Sequence, residues 1–207
     1  MVTDRFALEG LESTLRFSAP SRTKHHNKTI ILHRMVSHKN LRRIRDEDRA
    51  KIGFPMITIE PEDPRSQVVQ DLLSAFVEDV KRRYNMPPRD VGTFDPDLVS
   101  VPRSVFLVVR RENTAIGCGA LVPMDETHVE VKRMYVKPEE RGHGFARIIL
   151  EELERFARKF DYDAMRLETG VHQPESIALY GKAGFYRIPN FPPFVGDRSA
   201  VCFEKRI

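Results

Sequence analysis

Residues 128–160, HVEVKRMYVKPEERGHGFARIILEELERFARKF, change their hydrophobic period halfway along. Val129 to Val136 is rich in β-branched and aromatic residues, the composition of a strand. Pro138 ends its pairing, and Arg141-Gly142-His143-Gly144-Phe145-Ala146 turns the chain. Beyond the turn, Phe145, Ile149, Leu153, Phe156 and Phe160 recur at helical spacing, with Glu151–Arg155 and Glu154–Arg158 pairs on the opposite face. A strand thus delivers the chain to a glycine turn that opens a helix. The first amides of such a helix have no intrahelical acceptor and lie at the positive end of its dipole, which suits a phosphate. Gly142 and Gly144 accept positive φ and keep a Cβ out of the way, while Arg141 offers a guanidinium that can fork onto phosphate. A tight turn without any ligand explains the glycine pair as well, so the neighbouring segments have to decide.

Upstream, Ser104–Arg111 and Thr114–Val122 read as strands joined at Glu112-Asn113, and a turn at Met124-Asp125-Glu126 leads into the strand at 129–136. Three strands without an intervening helix form an antiparallel meander. That argues against a dinucleotide fold, which needs a βαβ unit and a third glycine, whereas position 147 is Arg. Pro55–Glu60 reads as a first strand, followed by a helix with Asp63 as N-cap and Pro64 in its first turn. Its apolar face is Val69, Leu72, Leu73, Phe76, Val77, Val80 and Tyr84. Asn85–Arg103 holds four prolines and reads as a long binding-type loop. After the central helix, Ala164–Thr169 is a strand that should run parallel to 129–136 because a helix separates them. A helix then runs to Gly184, a reasonable C-cap. Phe185–Ile188 and Ala200–Arg206 form a last strand pair across the link Pro189–Ser199.

Arg141-Gly142-His143-Gly144-Phe145-Ala146 fits the Gln/Arg-x-x-Gly-x-Gly/Ala signature of the GNAT superfamily of N-acetyltransferases, and the chain resembles that family over roughly residues 55–207. Gln173 to Phe185 is similar to the family segment Asn-x-x-Ala-x-x-Leu-Tyr-x-x-x-Gly-Phe. Leu179, Tyr180, Gly184 and Phe185 match it, while Gln173 and Ser176 stand where Asn and Ala are usual. The resemblance, closest to a microbial subgroup of poorly defined acceptor, implies an α/β (α+β) fold. Its sheet is mixed, mostly antiparallel, of about seven strands flanked by helices, with the central strands splayed. It implies acetyl-CoA as co-substrate, its pyrophosphate on residues 141–146 and its amide-bearing arm paired with the backbone of Met134, Tyr135 and Val136. Gln173 joins this set as the residue opening the following helix.

For chemistry, the resemblance makes Tyr180 the acid that protonates the departing thiolate, although a Tyr on an amphipathic helix is most often a packing residue. Glu130 and Glu168 are rival bases; alternation from Glu130 to Val136 would place both on one sheet face. Salt bridges from either carboxylate to Lys132 or Arg166 explain them equally well, and an amine that binds deprotonated needs no base. Tyr84, Phe94, Phe191 and Phe194 are candidates for the wall of an acceptor pocket, with core packing as the alternative for each. The expected acceptor is a small-molecule amine or amino acid. A non-catalytic acyl-CoA-binding module is the competing reading.

The chain of 207 residues suits one domain, here 54–207, with a basic N-terminal extension at 1–53. Twelve Lys/Arg against six Asp/Glu in 1–53 leave twenty-two against twenty-four in the rest, so the net +4 belongs to the front of the chain. That arm could touch nucleic acid, but a solvated or disordered segment accounts for it better. No apolar run approaches a membrane span, no His/Cys/carboxylate spacing suggests a metal, and Cys118 and Cys202 read as buried reduced thiols. A cytoplasmic enzyme is expected, and a homodimer, common in the family, is left open.

Overall fold

The expected meander is present in the computed structural model, which describes residues 55–84 and 94–207; the predicted extension at 1–53 and the first half of the proline-rich loop lie outside them. The order is β1 (Ile57–Pro61), α1 (Gln67–Tyr84), β2 (Val105–Arg111), β3 (Thr114–Pro123), β4 (His128–Val136), α2 (Phe145–Lys159), β5 (Ala164–Gly170), α3 (Pro174–Lys182), β6 (Tyr186–Ile188) and β7 (Ala200–Arg206). They make one seven-stranded sheet ordered β1-β2-β3-β4-β5-β7-β6, in which only β4 and β5 are parallel neighbours. The α2 side buries Val131, Ile149, Leu153, Met165, Leu167 and Tyr180; the α1 side buries Val69, Leu72, Phe106, Val108, Cys118 and Tyr135. Each fully buried Leu, Ile or Phe contributes about 1.5–3 kcal/mol, so the sheet is held from both faces. Cys118 and Cys202 are free and buried, and burial pushes the Cys118 thiol up to about 12.

Two local expectations need correction. Helix α1 begins three residues later than its Asp63-Pro64 signal. Asp63 instead closes a turn by accepting from the Arg65 amide at 2.8 Å, and the Ser66 hydroxyl accepts from the Val69 amide at 3.4 Å. Glu130 and Val136 do not share a face. Val131 lies opposite Leu121 and Lys132 opposite Ala120, but Tyr135 lies opposite Cys118, so β4 spends an extra residue against Gly119. Arg133, at φ 56°, sits in this bulge. A bulge reverses the alternation beyond it. Val129, Val131 and Val136 therefore face α2, whereas Tyr135 faces α1 with the opposing Ala120 and Val122 that lie across from Lys132 and Glu130.

The bulge coincides with the end of pairing between β4 and β5. His128–Val131 is bonded to Ala164–Leu167 and the register stops there. Strand β4 continues beside β3 to Val136, while β5 continues beside β7 to Gly170. The two central strands thus diverge from Lys132 and Glu168 onward, leaving a wedge-shaped gap in the sheet.

Gly170, at the far end of β5, leaves room for the Tyr84 hydroxyl, which would stand 1.5 Å from a Cβ added there. Gly170→Ala is expected to destabilise the fold by roughly 1–3 kcal/mol. Combined with Tyr84→Leu it should recover most of that loss, as thermal melts of the two single variants and the double variant would show. Additive losses would contradict the packing.

Candidate active site

The mouth of α2 lies beside the gap. Gly142 and Gly144 have φ of 79° and 86°, and α2 starts from Gly144 without a side-chain cap. A Cβ added to Gly142 would meet nothing within 4 Å. The open ground before the first amides of α2 therefore fits a phosphate group, and residues 142–147 are those that would hold one. His143 bends back, its Nδ1 3.2 Å from the Glu140 carbonyl, and Phe145 is buried beneath the turn. Ala146, partly buried, packs against the core under α2. Arg141 is engaged within the protein: its Nε donates to the Val136 carbonyl at 3.0 Å and its Nη2 to Asp79 Oδ2 at 2.7 Å. Arg83 also bonds Asp79, at 3.2 Å, and reaches Glu175 at the start of α3. This chain of ion pairs ties the glycine turn through α1 to the other lip of the gap. Burial alone would raise the Asp79 carboxyl, but the two guanidiniums hold it below its ordinary value.

Of the backbone expected to meet a pantetheine-like arm, Met134, Tyr135 and Val136 all lie past the last β4–β5 pair. The Val136 carbonyl already accepts from Arg141. The Met134 side chain turns toward α2, where its sulfur fills the space over Gly119.

The two predicted carboxylates differ. Glu130 is buried and paired with Lys132, Oε1 to Nζ 2.7 Å. Glu168 has no salt bridge among the described residues. Burial, reinforced by Asp197 and Glu130 against the pull of Lys132 and Arg133, pushes it up to about 7. A carboxyl poised there can take a proton at neutral pH. Tyr180 is buried on the α2 side between Phe185 and Phe203, with ring centroids 5.9 and 6.2 Å away. Burial pushes its phenol well above the ordinary value, and the charge of Glu168 adds to this.

The remaining candidates lie in three places: beside Arg133, beside Lys132 and at the end of β5. Phe94 and Phe76 lie against Arg133, its guanidinium carbon 5.6 and 5.5 Å from their ring centres. Phe194, in the β6–β7 link, lies 5.8 Å from Lys132 Nζ. Phe191 is buried and holds Phe194 edge-on at 5.6 Å, anchoring that link. Tyr84 stands at the mouth of β5, edge-on to His172 at 5.5 Å, its hydroxyl 3.5 Å from Gln173 Nε2. Gln173 precedes α3 without capping it through its side chain. Lys132, Arg133 and Asp79 were not anticipated as site residues. Two adjacent charges inside a central strand were the available signal, since strict alternation would bury one of them.

The model of the Acetyltransferase (GNAT) family matches residues 67–185, and the protein belongs to that family. A relative from Azospirillum brasilense, named IAA acetyltransferase, is 36% identical over 155 residues, covering 73% of this chain and 99% of its own. Among solved structures, an acetyltransferase from Streptococcus agalactiae shares the fold at TM-score 0.64 and 17% identity, over 73% of this chain and 98% of its own. A GNAT acetyltransferase from Elizabethkingia anophelis with acetyl-CoA bound does so at TM-score 0.54 and 18% identity, over 73% and 98%. The chain is thus an acetyltransferase of the GNAT type. Among the described residues no cluster of His, Cys, Asp and Glu could hold a metal, and no helix is long and apolar enough to cross a membrane.

Proposed function

We propose that the protein moves an acetyl group from acetyl-CoA to the primary amine of a small molecule or amino acid, by direct attack in a ternary complex. The observation that carries this reading is the parting of β4 and β5 at Lys132 and Glu168, with a carboxyl near 7 on one strand. The diphosphate rests on the amides at the mouth of α2, and the thioester arm runs along the free edge of Met134–Val136. Glu168 takes the proton from the incoming ammonium. The nitrogen then attacks the thioester carbonyl, the carbon–nitrogen bond forms and the carbon–sulfur bond breaks. An amide at Met134 or Tyr135 donates to the carbonyl oxygen as charge develops on it. Tyr180 donates a proton to the departing thiolate, and the second proton, which the nitrogen sheds as it becomes an amide, restores the phenol by way of solvent.

The transfer to the thiolate runs uphill, from a phenol near ~10 to a thiol near ~8.5, and the burial of Tyr180 steepens it. Tyr180→Phe is therefore expected to lower kcat by only roughly 10- to 100-fold with little change in KM. A fall in KM of similar size would contradict its role as the acid. Holding the two substrates together contributes more.

The reading places the enzyme in the cytoplasm and leaves a homodimer to sedimentation. Its test is thiol release from acetyl-CoA across a panel of amines and amino acids, with IAA included after the relative's name. Release with at least one amine is expected. Tight acetyl-CoA binding without release for any of them would favour a binding module.

A further inference from the structure

Pairing between β4 and β5 ends at Val131 and Leu167, so Lys132 and Glu168 are the first residues on the two sides of the gap. Val131 and Leu167 face α2, and alternation turns Lys132 and Glu168 to the α1 face. Glu130 shares that face, two residues before Lys132 and ahead of the bulge. Its Oε1 holds the Lys132 ammonium at 2.7 Å, with the Phe194 ring centre 5.8 Å from the same nitrogen. Arg166, the β5 neighbour of Glu130, is turned to Glu204 on β7 at 2.8 Å. The ammonium at the lip of the gap is therefore seated on Glu130 and not on Glu168. A lysine closed onto Glu168 would occupy the carboxylate that an amine has to reach. One fixed beside it favours the charged form through space and leaves that form to the amine.

We propose that Lys132, anchored by Glu130, is a positioning residue that sets the pH at which Glu168 becomes able to take the proton of the incoming amine. This inference rests on Glu168 being the base of the acetyl-transfer reading. Burial raises the Glu168 carboxyl most, and among the charges Lys132 opposes that rise most strongly. Arg133, also on β4, adds to Lys132, while Asp197 in the β6–β7 link and Glu130 work against them. Tyr180 on α3 and Cys202, opposite Glu168 on β7, keep their protons through burial and through the charge of Glu168 itself. Removing the ammonium tips this balance toward the protonated acid, and removing Glu130 tips it toward the carboxylate.

The test is an NMR titration of the Glu168 carboxyl in the full chain labelled with 13C at glutamate, run beside the pH profile of acetyl transfer. The signal is assigned by its absence in Glu168→Gln. Lys132→Met is expected to move the Glu168 midpoint up by on the order of one pH unit, and Glu130→Gln to move it down. The variant with both changes leaves no buried charge alone. It should titrate between Lys132→Met and the wild type, because Lys132 acts on Glu168 more strongly than Glu130 does. The acid limb of the rate should follow the titration in each variant while acetyl-CoA affinity stays unchanged. A pair that only stabilises the fold would lower the melting temperature and leave the midpoint in place, and that result would overturn the proposal, as would movement in the opposite sense. Glu130→Gln, nearly isosteric, decides if Lys132→Met does not fold. Acetyl transfer with an unmoved acid limb in every variant would sink this inference and leave the reading standing. Shifted midpoints without transfer to any amine would sink the reading and leave the hold of Lys132 on Glu168 standing.

Discussion

Glu168→Gln is expected to lower kcat/KM for acetyl transfer by roughly 10²–10⁴-fold while leaving acetyl-CoA affinity unchanged. Glutamine keeps the shape and loses the proton acceptor. Because the Glu168 carboxyl is pushed up to about 7, the wild-type rate should rise with pH through that value, as the carboxylate form is reached, and then level off. The variant should lack this limb. Its stability should shift in a related sense. A carboxyl whose pKa is raised by folding stabilises the fold fully below its ordinary value, and the contribution is lost as pH rises through about 7. The variant, with nothing to ionise, should therefore gain in melting temperature over the wild type above pH 7 and not below pH 4. A variant with near-normal kcat/KM and an intact acid limb would move the role of base elsewhere. Glu130, tied to Lys132, is the alternative, and Glu130→Gln is the matching control.

Gly142→Glu is expected to abolish acetyl-CoA binding, raising Kd by more than about 100-fold, with the fold retained. The added side chain has room, since nothing lies within 4 Å of the Cβ position. It would put a carboxylate on the ground a diphosphate needs. At φ 79° the substitution strains the turn, by on the order of 1–2 kcal/mol, which melting measures separately from binding. Calorimetry with acetyl-CoA reads the affinity. Wild-type affinity in a folded variant would show that the phosphates rest elsewhere.

The glycine turn, the meander before it and the parallel return of β5 were legible because each is written in adjacent residues. Strand composition, Pro138 and the shift to helical spacing after Phe145 are local signals, and their order already excludes a dinucleotide fold. The bulge was not legible by the same means. A period-two reading carries Glu130 and Val136 to one face, and only the register against Gly119 shows the extra residue. The partners of Arg141 were beyond reach for another reason: Asp79 is sixty-two residues away in α1, and side-chain pairing at that range depends on how helix and sheet pack. The two carboxylates look alike as letters. Their difference, one neutralised by Lys132 and the other raised by burial, arises only in three dimensions. Tyr84 shows the same limit, since its hydroxyl is placed by the missing Cβ of Gly170.

Amide hydrogen exchange of the wild-type protein with and without acetyl-CoA tests the whole arrangement at once. Slowed exchange is expected in two separate stretches, 142–147 at the mouth of α2 and 132–136 along the unpaired edge of β4, with β1 and β2 unchanged. Unaltered exchange in both stretches at saturating acetyl-CoA, with protection concentrated at β1 and β2, would contradict it.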